Sequence, residues 1–327
     1  MSATHFTRRD ACPACESDTA RTIYSRPYLD SPLKEYLVSF YSAQGKIELE
    51  YLEGGTYTLA ECASCGLIYQ REIPDDFLMK KLYDEWIDPA VDRAAHERGE
   101  YREYTVGFVE EILMLTSHFR SLARQLRVCD FGMGWGYWCR AAEAFGCDVS
   151  GMELSMERTV HAASHGIRVL DWNEAPGSEL DFINSEQVFE HLAQPLETLR
   201  HLSRALRDGG IMKISVPNGR GVKRRLKDVN WSTGERRHGT LNPVSPLEHI
   251  NCFSRRSVIA MAAKAGLSHV RIPMSMLHVP LEWKHPKESI RTLVRPLYRN
   301  LYWGGTYLFF RKPGLDWFDG PKKSRER

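Results

Sequence analysis

Val128-Cys129-Asp130-Phe131-Gly132-Met133-Gly134-Trp135-Gly136 is the stretch whose reading decides the fold. A strand-forming run, Arg127 to Phe131, leads into three alternating glycines, and Tyr137 to Phe145 beyond them reads as a helix. Glycine suits such a turn because a side chain would block a ligand lying against the backbone, and because the turn takes up dihedrals that other residues avoid. A dinucleotide fingerprint would carry its third glycine one place later, at Tyr137. Here the spacing is Gly-x-Gly-x-Gly, with Asp130 just before it and an acid, Glu153, 17 positions past Gly136, closing a second apolar run from Asp148.

The pattern downstream alternates strand and helix. Ile167 to Leu170 runs into Asp171 and Trp172. Leu180 to Asn184 is followed by Ser185-Glu186-Gln187-Val188-Phe189-Glu190-His191-Leu192. A helix over 195–207 carries Leu196, Leu199, Leu202 and Leu206 at helical spacing and ends at Asp208-Gly209-Gly210; Ile211 to Val216 then stops at Pro217-Asn218. Over about residues 125–275 this order resembles the S-adenosylmethionine (SAM)-dependent methyltransferases of the Rossmann-like class. Val188 to Leu192 is similar to the Leu-Glu-His-hydrophobic signature of one large subgroup, and Leu206 to Asn218 matches that subgroup almost place for place. The resemblance implies an α/β fold with a Rossmann-like seven-stranded sheet and SAM as cofactor. It implies a cofactor site made by Asp130, Gly132, Gly134, Gly136, Glu153 and Leu154. Glu153 would accept from the ribose hydroxyls, Asp171 and Trp172 would meet the adenine, and Glu186 and Gln187 would complete the site.

Composition agrees with a catalytic domain plus attachments. At 327 residues the chain has room for two domains, and 43% apolar content is ample for a packed core. No run of 18 apolar residues or N-terminal apolar stretch occurs, so neither a membrane span nor a secretory signal is expected, and the cytoplasm is the default location. A formal charge of +2 argues against a nucleic-acid binder that neutralises many phosphates. The oligomeric state stays open.

Eight cysteines ask for a metal explanation before a disulfide one. Cys12 and Cys15 form one Cys-x-x-Cys pair, and Cys62 and Cys65 form another after 46 intervening residues. Two such knuckles complete a tetrahedral four-cysteine zinc site, structural because no position is left for water. Residues 1–74 therefore read as a zinc-ribbon-like module. Residues 75–126 read as a helical arm: Asp75 and Asp76 open a first helix, and a longer one from about Arg93 to Gln125 carries Phe108, Ile112, Leu115 and Phe119 as a packing stripe. In similar methyltransferases such an arm folds over the cofactor, which makes Tyr83 and Tyr101 candidate contacts.

The core is read as residues 127–275, with a basic insertion at 219–247, and residues 276–327 as a helical insertion, a last strand and a charged tail. Between Gly219 and His238, seven Lys or Arg face only Asp228 and Glu235. A basic lid bearing Trp231, at the strand ends where this fold binds ligands, points to an anionic acceptor. Glu248-His249 then leads to Phe253-Ser254, again resembling the subgroup, whose histidine there faces the active site.

The candidate catalytic residues are His249, His191 and Glu190, with His238 behind them; histidine suits a base because its pKa lies near neutral. No Asn-Pro-Pro-Tyr-type motif follows Asn184, which tilts the acceptor atom toward oxygen or carbon. The expected activity is methylation of a small, anionic acceptor: a sugar, sugar nucleotide or secondary metabolite. The four-cysteine module followed by this core is similar to the architecture of sugar C-methyltransferases, yet the sequence leaving the fifth strand departs from theirs. Two alternatives stand beside this reading: an RNA methyltransferase gripping with the zinc module and basic lid, and a non-catalytic zinc-ribbon scaffold.

Overall fold

A computed structural model describes residues 4–42, 45–87, 93–94, 98, 102–119, 124–229, 231, 241–271 and 306–314. The N-terminal part is antiparallel. Strand β1 (Phe6–Arg8) pairs with β5 (Glu72–Pro74), while β2 (Ala20–Pro27), β3 (Thr56–Cys62) and β4 (Ile68–Gln70) make a curled sheet. The two Cys-x-x-Cys turns sit at one end of it, before β2 and between β3 and β4. A helix, Leu33–Ser42, buries Leu33, Leu37 and Tyr41 on one side, as their spacing dictates.

The second sheet has seven strands. These are β6 (Arg127–Phe131), β7 (Asp148–Met152), β8 (Arg168–Val169), β9 (Leu180–Asn184), β10 (Leu206–Ser215), β12 (Ser268–Val270) and β13 (Tyr307–Arg311), ordered β12-β13-β10-β9-β6-β7-β8. Strands β10, β9, β6, β7 and β8 are mutually parallel, and β13 runs antiparallel between β10 and β12. Central β9 is buried at every position, as expected of a parallel strand covered on both faces. The order reverses between β6 and β9, so both loops leaving those strands open on one crevice.

The remaining strand, β11 (Asn251–Cys252), joins the N-terminal sheet: Asn251 pairs with Tyr69 and Cys252 with Ile68. The boundary read at residue 74 thus leaves out a strand from far down the chain. Packing agrees. One apolar core unites Cys12, Cys62 and Cys65 with Phe189, Leu199, Ile214, Phe253 and Phe310.

Several elements differ from their sequence-based bounds. Strand β10 starts at Leu206, opposite Leu180, and slips register before Ile211, where Gly209 takes a φ of 73°. The preceding helix, Pro195–Ala205, ends two residues earlier than its leucine spacing suggests, because Leu206 is already strand. The long arm helix is Arg102–His118, and Ile112, Leu115 and Phe119 pack against Trp138 and Phe182. Tyr101, His238, most of the basic insertion beyond Val229, and the segments 272–305 and 315–327 lie outside the described residues. Among the described residues, no helix is long and apolar enough to cross a membrane.

Candidate active site

The glycine loop leaves β6 with all three glycines at positive φ: 76° at Gly132, 53° at Gly134 and 79° at Gly136. Their surroundings differ. A Cβ on Gly132 would lie 2.4 Å from a Val188 methyl, and one on Gly136 the same distance from Ile167 Cδ1. The protein's own packing needs those two. A Cβ on Gly134 would meet nothing within 4 Å, so this residue faces open space against which a ligand can lie. The Gly134 amide donates to Glu153 Oε2 at 3.0 Å, and the Leu154 and Ser155 amides donate to Oε1 at 3.0 and 2.9 Å. Glu153 is thereby fixed at the end of β7 with its carboxylate beside the glycine loop. The Leu154 side chain is wholly exposed.

Asp130 is buried, accepts from Asn184 Nδ2 at 2.7 Å, and has its pKa pushed up to about 7 by that burial. Asn184 Oδ1 and Ser185 Oγ, also buried, have no hydrogen-bond partner among the described residues. Glu186 pairs with Lys213 at 2.6 Å and accepts from Ser215 Oγ, while the Gln187 amide donates to Ser215 O. Both residues are thus anchored to β10. Lys213 is fully buried in β10 with Glu111 at 2.8 Å on its other side. Burial alone would lower its pKa, but Glu111 and Glu186 hold it above the ordinary lysine value. Past β8, Asp171 accepts from the Asn173 amide, and the Trp172 ring stacks on His201 at 3.8 Å between centroids.

Beside this crevice Glu190, His191 and His249 converge, each offering a ligand atom within 4.8 Å of the others. Glu190 and His191 lie on the turn after β9; His249 arrives on the loop before β11. Glu190 is 1% exposed, and neither carboxylate oxygen has a hydrogen-bond partner among the described residues. Burial pushes its pKa up to about 8. Burial, with His249 adding, pushes His191 down to about 3, so this imidazole is neutral at pH 7. His191 Nδ1 lies 3.0 Å from the Glu248 carbonyl and 2.9 Å from Tyr83 Oη. Tyr83, a candidate cofactor contact, packs on this histidine.

The N-terminal sheet positions the cluster. Gln70 of β4 donates to the Ser245 and His249 carbonyls, and Asn251 of β11 donates to the carbonyls of Phe189 and Leu192. Arg9 ties these pieces together through Gln70 O, Ile250 O and Asn251 Oδ1. Sequence reading passed over Gln70, Asn251, Glu111 and Lys213. Their signal was there: polar residues at positions a strand or helix pattern reserves for the core.

The four cysteines form a second cluster. Cys12 and Cys65 Sγ are 3.6 Å apart, as are Cys15 and Cys62 Sγ, and all four lie within 4.8 Å of one another. A tetrahedral centre with Zn–S bonds near 2.3 Å sets its sulfurs about 3.8 Å apart, so the donor set fits zinc. Trp231 does not stand over the crevice. It is 3% exposed, donates to Tyr24 Oη and packs on Tyr36 and Tyr57, while Lys223 pairs with Glu61 of β3. The described part of the basic insertion is therefore sewn to the N-terminal sheet, because its apolar residues find a core there.

A five-stranded parallel run with an antiparallel strand inserted before the edge, a glycine loop after its middle strand and an acid after the next define a SAM-dependent methyltransferase. The profile of the methyltransferase-domain family matches residues 87–272, more than half of the chain, and the chain belongs to that family. Among curated proteins it is similar to the ubiquinone biosynthesis O-methyltransferase of Maricaulis maris, 23% identical over 221 residues, spanning 62% of this chain and 82% of that protein. The enzyme of the same name from Parvibaculum lavamentivorans is 29% identical over 152 residues, 41% of this chain and 58% of that one. Similar solved structures include the plantazolicin methyltransferase BpumL (TM-score 0.46, 14% identity, 72% of this chain and 95% of that one). Another is the 1,6-didemethyltoxoflavin-N1-methyltransferase of Burkholderia thailandensis (TM-score 0.39, 16% identity, 69% and 87%).

Proposed function

We propose that this chain transfers the methyl group of SAM to a hydroxyl oxygen of a small, anionic acceptor. The observation that carries the reading is the convergence of Glu190, His191 and His249 at the strand ends, next to the glycine loop that Val188 packs against. The bound cofactor supplies an electrophilic methyl on a sulfonium; the chain has to align an oxygen with it and let that oxygen lose its proton. Glu153 and the glycine loop hold the nucleoside end, with Asp130, Glu186 and Gln187 at the amino-acid end and Asp171 and Trp172 beside the base. The Glu190–His191–His249 cluster receives the acceptor hydroxyl. The names of the curated relatives support oxygen as the methylated atom; the acceptor's negative charge is read from the excess of Lys and Arg between residues 219 and 238 in the sequence, of which Lys223 is engaged by Glu61 of the N-terminal sheet. Cys12, Cys15, Cys62 and Cys65 hold a structural zinc ion that braces the sheet on which Gln70 and Asn251 sit.

The test is methyl-labelled SAM with a panel of hydroxylated carboxylates and phosphates, reading O-methylated product by mass. His249→Ala should bind SAM as the wild type does and lose turnover about 10²–10⁴-fold, the usual contribution of a positioned acid–base group. Unchanged turnover, or label found on nitrogen, would remove this reading.

A further inference from the structure

We propose that Lys213 is a positioning residue for the methyl donor: it holds Glu186 at the crevice to receive the donor's α-ammonium, and it ties that carboxylate to the arm helix through Glu111. The proposal deepens the reading of Glu186 at the amino-acid end of the SAM site and rests on that reading.

The first ground is charge balance. The Lys213 side chain is buried in β10, with Glu111 Oε2 at 2.8 Å and Glu186 Oε2 at 2.6 Å. A buried ammonium needs a partner, and stranding it is strongly destabilising. One carboxylate would meet that need; two leave the group with one negative charge in excess. Asp130 feels all three of these charges and, when ionised, adds to the negative side. Glu111 is closed to a ligand: it is buried, its Oε1 accepts from Trp138 Nε1 at 3.0 Å, and its Oε2 accepts from Tyr307 Oη as well as Lys213. Glu186 differs. Its Oε1 accepts from Ser215 Oγ at 2.8 Å, yet its side chain is 28% exposed where the chain leaves β9. A carboxylate has about four lone-pair sites, so Glu186 can take a second cation beside Lys213.

The second ground is what the group joins. Glu111 lies on the arm helix Arg102–His118, and Trp138 is the second residue of the helix Tyr137–Ala144, which starts at Gly136 of the glycine loop. Lys213 and Ser215 belong to β10 and Tyr307 to β13. Glu186 itself follows Asn184 and Ser185, whose buried Oδ1 and Oγ have no hydrogen-bond partner among the described residues. Buried polar atoms are ordinarily paired, so these two mark the same stretch as prepared for a polar ligand. An α-ammonium carries three N–H donors, and this stretch offers a carboxylate, an amide oxygen and a hydroxyl oxygen. A cation on Glu186 shares that carboxylate with Lys213, and the lysine then leans more on Glu111. Donor binding should thus tighten the arm helix, and by linkage a docked arm should tighten donor binding.

Two ligands separate this role from plain structure: S-adenosylhomocysteine, and 5′-methylthioadenosine, which lacks the amino-acid end. Lys213→Met alone would strand two carboxylates, so it is combined with Glu111→Gln, and melts report whether the pair folds. By calorimetry the combined variant should bind S-adenosylhomocysteine at least about tenfold more weakly than the wild type, the worth of one hydrogen bond between charged groups. Its affinity for 5′-methylthioadenosine should stay near that of the wild type. Glu186→Gln should show the same selective loss, and adding the other two changes to it should weaken binding no further. Hydrogen exchange over residues 106–118 should slow when S-adenosylhomocysteine is added to the wild type. Glu111→Gln alone, which keeps the Lys213–Glu186 pair and so folds, should lose that slowing. Equal losses for both ligands in the folded combined variant, or arm exchange that S-adenosylhomocysteine leaves unmoved in the wild type, would overturn the proposal. Selective loss in Glu186→Gln without either of the other effects would remove Lys213 and leave Glu186 at the amino-acid end. Wild-type affinity in Glu186→Gln would remove that reading as well.

Discussion

Replacing Gly134 by alanine separates ligand contact from backbone strain. At a φ of 53° an alanine costs about 1–2 kcal/mol of stability, because its Cβ crowds the following carbonyl. No protein atom within 4 Å adds to that. Gly146, at the far end of the helix Tyr137–Ala144, has a φ of 81° and equally open surroundings, which makes Gly146→Ala a matched control. Both variants should lose similar stability in thermal or urea melts. Only Gly134→Ala places a methyl where the cofactor lies against the loop. Overpacking of a close-fitted surface costs typically 1–3 kcal/mol, so SAM affinity should fall about 5- to 150-fold by calorimetry, against no change for Gly146→Ala. Gly132→Ala, whose Cβ would strike Val188, should be the least stable of the three. Wild-type SAM affinity in folded Gly134→Ala would refute the placement of the cofactor on this loop.

Other outcomes follow from the buried charges and the cysteines. Asp181 is buried with Arg124 and Arg207 on its carboxylate; burial alone would raise its pKa, but those two hydrogen-bonded partners hold it below the ordinary range. Its stabilisation is therefore complete above the unfolded value of about 4 and is lost as pH falls through the lower native value. Asp181→Asn should cost about 2–4 kcal/mol at pH 7, Arg124 being partly solvated, and should flatten the acid side of the stability curve. Cys62→Ser should release one zinc equivalent on metal analysis and lower the melting temperature of the whole molecule. A ribbon folding on its own would instead unfold in a separate step, and zinc-free wild type purified without chelator would remove the ion from this account.

Much of the catalytic half is legible in the sequence because its signals are local. Gly132, Gly134 and Gly136 announce a positive-φ turn by spacing alone, and Leu180 to Asn184 reads as a buried strand from its apolar run. What escapes is set by pairing between distant segments. Strand β11 is two residues long, has no periodicity of its own, and is strand only because Asn251 and Cys252 meet Tyr69 and Ile68. That pairing is what brings His249 to His191, so their meeting is invisible from either motif. Trp231 lies in a run of charges that reads as a solvated lid, yet two tyrosines of the N-terminal sheet and Tyr36 of the helix Leu33–Ser42 offer it a core. Lys213 stands in the apolar run of β10, yet nothing in that run tells that its partner is Glu111, about a hundred residues earlier, on the arm helix.

The central claim is that one crevice holds the SAM nucleoside on Glu153 and turns its sulfur toward Glu190, His191 and His249. A crystal structure with S-adenosylhomocysteine bound tests it most directly. The account predicts the ribose hydroxyls within hydrogen-bond distance of the Glu153 carboxylate, the ligand lying over Gly134, and the sulfur facing the Glu190–His191–His249 cluster across a space wide enough for an acceptor hydroxyl. A nucleoside bound away from Glu153, or a sulfur turned from that cluster, would contradict it.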